Sequence, residues 1–294
     1  SSIAGISTGS YAFGTTAVST SRLGGFADSE LGWETTTQTN IGLDLGFFNS
    51  RLNVIANYYN SISTDILYNA PISAISGFTS STTNMTDAKI RNRGFDLQVD
   101  ARLLTGKVKW NVSTNISINR NKVVSLGGLD DILSTSERSV QSHITKEGYP
   151  IGSFYGYKAV GIMSELDYKN ALKDREAYLA NGNTIWKDVS GDGVIDTNDK
   201  TILGNAYPDF TGGFSTSLSW KGFDLGASFT YSYGGEVINF QDYYLFNVEG
   251  SSNQYAIAAD RYVSDTNPGR NNVPIATRIS VTNQSLKLSS YYVE

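Results

Sequence analysis

The chain has no cysteine, one histidine and two methionines among its 294 residues. The absence of cysteine excludes disulfides and thiolate sites, and it gives no support to a redox function. With His143 as the only histidine, neither a zinc site nor a Ser-His-Asp triad has the side chains that it needs. We therefore expect His143 to be a surface residue of a loop, and we predict that the chain has no enzymatic activity.

Charged residues are also scarce, at 17% of the chain, and the formal net charge is -5. The basic residues form no cluster along the chain of the kind that binds nucleic acid, so we expect no nucleic-acid partner. The sequence contains no apolar run near 18 residues, which excludes a transmembrane helix. It does not exclude a transmembrane β-barrel, because the strands of a barrel distribute their apolar residues by alternation.

Glycine, tyrosine and phenylalanine are plentiful, with 29, 18 and 13 residues, and six segments alternate apolar with polar side chains. In the first segment, Asn40–Phe47, isoleucine, leucine and phenylalanine alternate with asparagine, glycine and aspartate. The other segments cover residues 52–59, 95–103, 108–119, 214–220 and 223–232. A period of two residues predicts β-strands that each have one apolar face.

Short turns at residues 48–51, 105–107 and 221–222 join these segments in pairs, while long polar stretches at about 60–90 and 124–208 separate the pairs. Short turns at one end of the strands and long loops at the other are typical of outer-membrane barrels. We therefore predict an all-β fold, an antiparallel transmembrane β-barrel segment with long extracellular loops. Its location would be the cell outer membrane, where its apolar face contacts lipid.

Two details favour a barrel over a soluble β-sandwich, whose strands also alternate. The apolar faces hold no charge, whereas the opposite faces carry Asp44, Asp96, Asp100, Arg102, Lys109 and Asp224. Aromatic residues collect near both ends of the strands, as in the aromatic girdles of membrane barrels. The side chains expected to share one outer face are Ile41, Leu43, Val99, Val112 and Leu225. The alternative is a soluble, secreted, calcium-dependent β-rich binding module.

The stretch Asp188–Asp199 has the spacing of a 12-residue calcium-binding loop. Oxygen-bearing side chains occupy loop positions 1, 3, 5, 9 and 12, glycine allows a turn at position 6, and position 7 can offer its backbone carbonyl. The residues in ligating positions are Asp188, Ser190, Asp192, Val194, Asp196 and Asp199. Position 12 is not the bidentate glutamate of an EF-hand, and a solvated Asp/Gly turn is the alternative. We predict a structural Ca²⁺ site.

The excursion at residues 124–208, which contains this loop, has two further features. A short helix is predicted to begin near Ser164, where Asp167 supplies an acidic variant of the capping box, and to end near Gly182. A run rich in glycine and aromatic residues, 148–157, can stack on sugar rings, pack against a partner or close the loop on itself. The candidates for contact with a ligand or partner are Tyr149, Phe154, Tyr155 and Tyr157.

Five blocks of the sequence resemble, in the same order, the SusC/RagA-type TonB-dependent outer-membrane transporters. The blocks are residues 31–36 with 40–44, 57–60 with 64–67, 90–95, 147–157 with 161–162, and 192–196 with 203–204 and 208–214. The resemblance covers about residues 31–240 and extends more loosely over the rest of the chain.

This resemblance implies a large plugged barrel of the 22-stranded kind. Such a barrel imports oligosaccharides or peptides with energy relayed by TonB, under a SusD-like lipoprotein that acts as a lid. The chain shows no plug domain, no TonB box and no terminal barrel strand, so we expect residues 1–294 to be one incomplete part of the barrel domain. TonB would act through an absent N-terminal part. In that setting the calcium-like loop is interpreted as a staple that rigidifies an extracellular excursion.

Overall fold

The structure of the chain is a computed structural model that describes residues 6–23, 25, 28–135, 141–162, 184–238, 245, 253–269, 273–276 and 292–293. The predicted helix near Ser164 lies outside the described residues. The chain divides into two compact units, which we describe separately. The sheet unit comprises Ser1–Asp130, Glu147–Tyr149 and Thr211–Tyr231, and the loop unit comprises Asp131–Lys146, Pro150–Phe210 and Ser232–Glu294.

Strands dominate both units. In chain order they are β1 (Ile6–Phe13), β2 (Thr16–Leu23), β3 (Thr35–Phe47), β4 (Leu52–Pro71), β5 (Ser80–Thr105), β6 (Val108–Leu126), β7 (Ile132–Thr135), β8 (Gln141–Thr145), β9 (Ser153–Gly156), β10 (Ala159–Ile162), β11 (Thr184–Trp186), β12 (Thr201–Gly204), β13 (Phe210–Trp220), β14 (Phe223–Tyr233), β15 (Val237–Ile238) and β16 (Tyr292–Val293). Short 3₁₀ helices cover Ala74–Ser76, Thr197–Asp199 and Ala256–Asp260. Among the helices of the described residues, none has the length and apolarity that crossing a membrane requires.

The main element of the sheet unit is a six-stranded sheet with the order β14-β13-β6-β5-β4-β3. The pairs β13-β6, β6-β5, β5-β4 and β4-β3 are antiparallel. The three predicted hairpins are therefore neighbours in one sheet, which confirms the all-β fold class. A separate two-stranded hairpin, β1-β2, precedes it.

Two of the three short turns show why the strands reverse where they do. Phe48, Asn49 and Ser50 have φ values of 56°, 57° and 58°, and the amide of Arg51 closes the turn on the carbonyl of Phe47 at 3.1 Å. Lys221 and Gly222 have φ values of 47° and 85°. In this second turn both central residues have positive φ, which is the feature of type I′ turns, whose twist matches that of the flanking strands.

The prediction of a long polar excursion at about residues 60–90 was wrong. β4 and β5 stay in register from Leu52↔Ala101 to Pro71↔Ser80, with one irregularity beside Asp65, so only residues 72–79 connect them. At about 3.3 Å per residue, the 26 residues of β5 extend about 85 Å, far more than a membrane band needs. The polar composition concealed the pairing, because backbone hydrogen bonds form a ladder whether or not one face is apolar.

The loop unit contains a four-stranded antiparallel sheet with the order β12-β9-β8-β7, together with the pairs β10-β11 and β15-β16. Buried apolar side chains of this unit are Ile144, Phe154, Tyr157, Ala258, Tyr262 and Val273. Residues 131–135, 141–146 and 150–162 of the predicted excursion are thus largely organised as short strands, with apolar side chains inside.

Candidate functional site

The strand registers place the apolar side chains of the six-stranded sheet on one face. Directly paired residues of adjacent strands lie on the same side of a sheet, and the registers give four cross-strand rows. The rows are Phe47-Leu52-Ala101-Val112-Thr216, Leu45-Val54-Val99-Thr114-Phe214, Leu43-Ala56-Leu97-Ile116-Gly212 and Ile41-Tyr58-Phe95-Ile118. These rows contain no charged residue, and we call them the apolar band.

Side chains of the apolar band are exposed at the edge strand. Ile41 and Leu43 are 65% and 56% exposed, and on the other edge strand Leu225 is 69% exposed. Phe229, on the same side of β14 as Leu225, packs against Phe214 of the band with ring centroids 6.5 Å apart. The side chains expected to share an outer face therefore do so, and a contiguous apolar surface of this kind marks a contact with lipid or protein.

The opposite face of the sheet carries a ladder of polar side chains, which we call the polar face. Asp100 accepts hydrogen bonds from Ser113 Oγ at 2.5 Å and Gln98 Nε2 at 2.8 Å. Asp96 accepts one from Ser117 Oγ at 2.5 Å. Each carboxylate has more acceptor sites than these bonds use. The polar face can therefore accept hydrogen bonds from a polar ligand without losing the bonds that order it.

Asp199 is the buried centre of the Asp188–Asp199 loop, with 0% of its surface exposed. Its Oδ1 accepts hydrogen bonds from the amides of Val189 at 2.9 Å and Ser190 at 3.0 Å, and its Oδ2 accepts one from the amide of Asp196 at 2.8 Å. Desolvation raises the pKa of this carboxyl, but the hydrogen bonds outweigh it and hold the pKa of Asp199 below its usual value. The loop is thus built around an ionised carboxylate.

The other aspartates of the loop also bind backbone amides. Asp188 accepts from the amides of Gly191 at 2.6 Å and Gly193 at 2.8 Å, and Asp192 accepts from the amide of Val194 at 2.7 Å. In the described part of the chain, no group of three or more acidic or histidine side chains is close enough together to hold a metal ion. Asp188 Oδ2 and Asp192 Oδ1 each accept one of these hydrogen bonds and keep a second lone pair. Calcium binding by this loop stays a prediction.

The aromatic candidates of residues 148–157 have different environments. Phe154 is buried, and its ring meets the edge of His143 at 5.3 Å between centroids. Tyr157 is also buried, beside Trp186 at 6.0 Å, with Lys200 Nζ 5.5 Å from its ring centroid. Desolvation raises the pKa of Tyr157, and the nearby Asp196 and Asp199 add to the shift. These two rings pack inside the loop unit.

Tyr149 and Tyr155 remain accessible. Tyr149 is 44% exposed, and Tyr155 is half-buried. The expectation for His143 was wrong: it lies on β8, half-buried against Phe154, and burial lowers its pKa. An alternation of apolar and polar side chains along β8 and β9 could have indicated that His143 and Phe154 are buried. Strands of four or five residues are too short for such an alternation to be recognised in the sequence.

Comparisons with known proteins point to one family. The family model described as "TonB dependent receptor-like, beta-barrel" matches residues 4–190. TonB-dependent receptor P3 of Formosa agariphila is 34% identical over 220 residues, which cover 73% of this chain and 22% of that protein. TonB-dependent receptor SusC of Bacteroides thetaiotaomicron is 29% identical and is matched over 96% of this chain and 26% of its own length.

Solved structures give the same result. The structure of the RagAB peptide transporter contains a chain that is similar to this one with a TM-score of 0.73 at 26% identity, over 93% of this chain and 29% of that one. The RagAB peptide importer in its open-open state gives a TM-score of 0.71 at 26% identity, over 94% and 28%. The chain thus spans less than a third of the length of each of these proteins.

Proposed function

This chain belongs to the family of TonB-dependent receptor-like β-barrels, and on that premise we propose that it forms part of the barrel wall of an outer-membrane importer. The two-faced sheet carries the proposal. Its apolar band is exposed and free of charge, whereas its polar face is ordered by hydrogen bonds such as those to Asp96 and Asp100. The family is one of receptors and transporters rather than enzymes, in agreement with the prediction that the chain has no enzymatic activity.

The free edges of the sheet support a role as one part of a larger barrel. Every residue of β3 is exposed, and so is nearly every residue of β14. Unpaired backbone groups inside a membrane each cost several kcal/mol, so spanning strands need a neighbour on both sides. We expect β3 and β14 to pair with strands of the same protein outside these residues.

The cargo that we propose is an oligosaccharide, with a peptide as the second candidate. Hydroxyl, amide and carboxylate groups of the polar face suit the hydroxyl groups of a sugar. Tyr149 in the sheet unit and Tyr155 in the loop unit each offer an accessible aromatic ring of the kind that stacks on sugars. The peptide candidate rests on the similarity to the chain of the RagAB peptide transporter. The partners would be a SusD-like lipoprotein, and TonB acting through an N-terminal part of the same protein.

A deletion of the full-length gene tests the proposal, with uptake of fluorescent oligosaccharides and peptides measured in intact cells. In the deletion strain, we expect the loss of uptake of one cargo class. In wild-type cells, we expect an uncoupler to cause the same loss, and we expect the protein to be recovered in the outer-membrane fraction. Unchanged uptake of both classes contradicts import. A protein that is soluble in buffer without detergent would favour the calcium-dependent binding module instead.

We also propose that the Asp188–Asp199 loop binds Ca²⁺ as a structural ion, supported by its spacing and by the free lone pairs of its carboxylates. Terbium can replace Ca²⁺, and its luminescence would be sensitised by Trp186, two residues before the loop. In the detergent-solubilised full-length protein, we expect competition by Ca²⁺ at about 10⁻⁴–10⁻³ M, with weaker binding in Asp192→Ala and no change in Asp209→Ala. An absence of saturable binding at roughly 10 mM Ca²⁺ eliminates the site.

A further inference from the structure

A tyrosine ring lies flat on the polar face of the six-stranded sheet. Tyr59 of β4 pairs directly with Gly94 of β5, which pairs in turn with Asn119 of β6. The hydroxyl of Tyr59 donates a hydrogen bond to Asn119 Oδ1 at 3.1 Å. Adjacent strands are about 4.8 Å apart. A side chain that starts on β4 and bonds to a side chain of β6 must therefore lie along the surface of the sheet, across β5.

The glycine under the ring allows this arrangement. Gly94 is buried because the ring of Tyr59 covers it. A methyl group added to Gly94 would overlap Cζ and the hydroxyl oxygen of Tyr59, so any other residue at this position would lift the ring from the sheet. One face of the ring thus rests on the backbone of β5. The other face points away from the sheet, and Tyr59 is partly exposed.

The ring of Tyr59 is an apolar surface within polar surroundings. In the described sheet, the registers define five cross-strand rows of the polar face between Gln38 and Gly46, and Tyr59 is their single aromatic residue. Its own row and the two rows beside it otherwise hold glycine and side chains with hydroxyl, amide or carboxylate groups. A ligand that fits the ring therefore needs an apolar face bordered by hydrogen-bonding groups.

Asp96 and Asn119 offer hydrogen-bonding groups on two sides of the ring. Asp96 is one row nearer to the short turns, about 7 Å along the strand. Its Oδ1 accepts a hydrogen bond from Ser117, and no described residue donates to its Oδ2. Asn119 uses its Oδ1 for Tyr59 and has two N–H groups on Nδ2. A ligand above the ring thus meets a charged acceptor toward the turns and an amide donor at the hydroxyl end of Tyr59.

We propose that Tyr59, Asp96 and Asn119 form a subsite for one sugar unit of an oligosaccharide. This inference rests on the proposed function, because it requires the polar face to border the path of the cargo. A pyranose ring has an apolar face of C–H groups, which the negative face of an aromatic ring attracts. Its hydroxyl groups both donate and accept hydrogen bonds. An apolar side chain of a peptide would leave Asp96 without a donor, so the surroundings of the ring favour a sugar.

The test measures the binding of fluorescent maltohexaose, cellohexaose and xylohexaose, one at a time, to the full-length protein in detergent. We expect the wild type to bind at least one of them. We expect Tyr59→Leu to weaken that binding about 3- to 10-fold, whereas Tyr59→Phe retains the ring and most of the affinity. The matched control is Tyr58→Leu, which removes the neighbouring ring from the apolar band and should bind like the wild type.

A second pair of variants tests the acceptor without changing the ring. Asp96→Asn should weaken the binding of the same sugar about 3- to 10-fold, because a hydrogen bond to an ionised carboxylate is stronger than one to an amide. Asp130→Asn removes the same charge from an exposed position outside the sheet and should bind like the wild type.

Other results overturn the subsite. Binding of none of the three sugars rejects the ligand class, and binding of fluorescent hexaalanine that Tyr59→Leu weakens would assign the ring to a peptide. Equal loss in Tyr58→Leu would show a general effect on the sheet. A Tyr59→Leu protein that binds sugar normally but unfolds at a lower temperature would show that the ring only packs on Gly94. Uptake in intact cells tests the proposed function separately: if the gene deletion abolishes uptake and Tyr59→Leu leaves binding unchanged, import stands and the subsite fails.

Discussion

The sheet unit and the loop unit follow opposite rules for the placement of side chains. In the sheet unit, large apolar residues such as Ile41 and Leu225 are exposed, while Asp96 and Asp100 are held by hydrogen bonds on the other face. In the loop unit, Phe154 and Tyr157 are buried. An exposed apolar face would favour aggregation in water but is stabilised by lipid. The contrast therefore supports the proposal that the exposed apolar band of the sheet unit faces lipid.

The same change from exposed to buried apolar side chains occurs within the sheet unit. Beyond the apolar band, the extended strands β5 and β6 bury Met85, Ala88, Val123 and Leu126. Arg91 and Arg93 on β5, and Arg120 and Lys122 on β6, lie between this buried group and the apolar band. Along these strands, an exposed apolar face gives way to basic residues and then to buried apolar residues. If the apolar band faces lipid as proposed, this order is expected for strands that leave the membrane and enter water.

The largest effect that we predict is in the loop unit. Phe154→Ala removes a buried ring that packs against His143, and losses of this kind cost about 3–5 kcal/mol. We expect faster cleavage of residues 141–160 in limited proteolysis of the purified full-length protein. Tyr149→Ala is the control, because its side chain is 44% exposed and its removal leaves no cavity. Equal cleavage of the two variants contradicts a packing role for Phe154.

The second prediction concerns the apolar band. Val99→Lys places a charge in a row of the apolar band. If that row faces lipid, as proposed, the charge costs about 2–4 kcal/mol near the midplane. We expect less full-length protein in the outer-membrane fraction and less protease-resistant barrel. Gln98→Lys, one residue away on the polar face, should assemble normally. If both variants assemble equally well, the assignment of the two faces is wrong.

The third prediction concerns the buried carboxylate of the loop. Asp199→Asn keeps the shape but leaves a side-chain amide facing the backbone amides that Asp199 now binds, so we expect a loss of about 1–3 kcal/mol in local stability. Hydrogen exchange of residues 188–199 should become faster. Asp192→Asn, which removes an acceptor from an exposed hydrogen bond to Val194, should have a smaller effect. A reversed order rejects Asp199 as the centre of the loop.

The smallest predicted effect is a pH dependence of the same loop. The pKa of Asp199 in the folded loop lies below its unfolded value of about 3.9. Its contribution to stability is therefore fully present above about pH 4 and is lost as the pH falls through the folded pKa. We expect a change in Trp186 fluorescence below that point in the wild type and its absence in Asp199→Asn. A transition that persists unchanged in the variant would assign it to another group.

The alternation of apolar and polar residues was enough to predict the apolar band of the sheet. The faces of Ile41, Leu43 and Val99 follow from a period of two residues, and short turns such as Lys221-Gly222 fix which strands are neighbours. The extension of β4 and β5 could not be predicted in this way. In that part of β4 and β5, polar residues stand on both faces, so the sequence shows no apolar–polar alternation. The backbone hydrogen bonds between the two strands nevertheless continue.

The sites were predictable only in part. The spacing of Asp188–Asp199 indicated a loop with several carboxylates, but not that Asp199 is the buried one. The search for a basic cluster found none, because Arg93 and Arg120 are 27 residues apart in sequence and meet only through the register of β5 and β6. Glycine and aromatic content in residues 148–157 likewise did not reveal which rings are buried.

The sequence by itself determined that six strands have one charge-free face, since a side chain's face depends only on its position along its own strand. It also determined that the strands reverse in tight turns, since φ preferences are local. The tertiary structure decided which charges meet, how far β4 and β5 remain paired and which aromatic and acidic groups are buried. These features depend on contacts between residues that are distant in sequence. Neither the amino-acid composition nor the two-residue alternation along a strand specifies which distant residues meet.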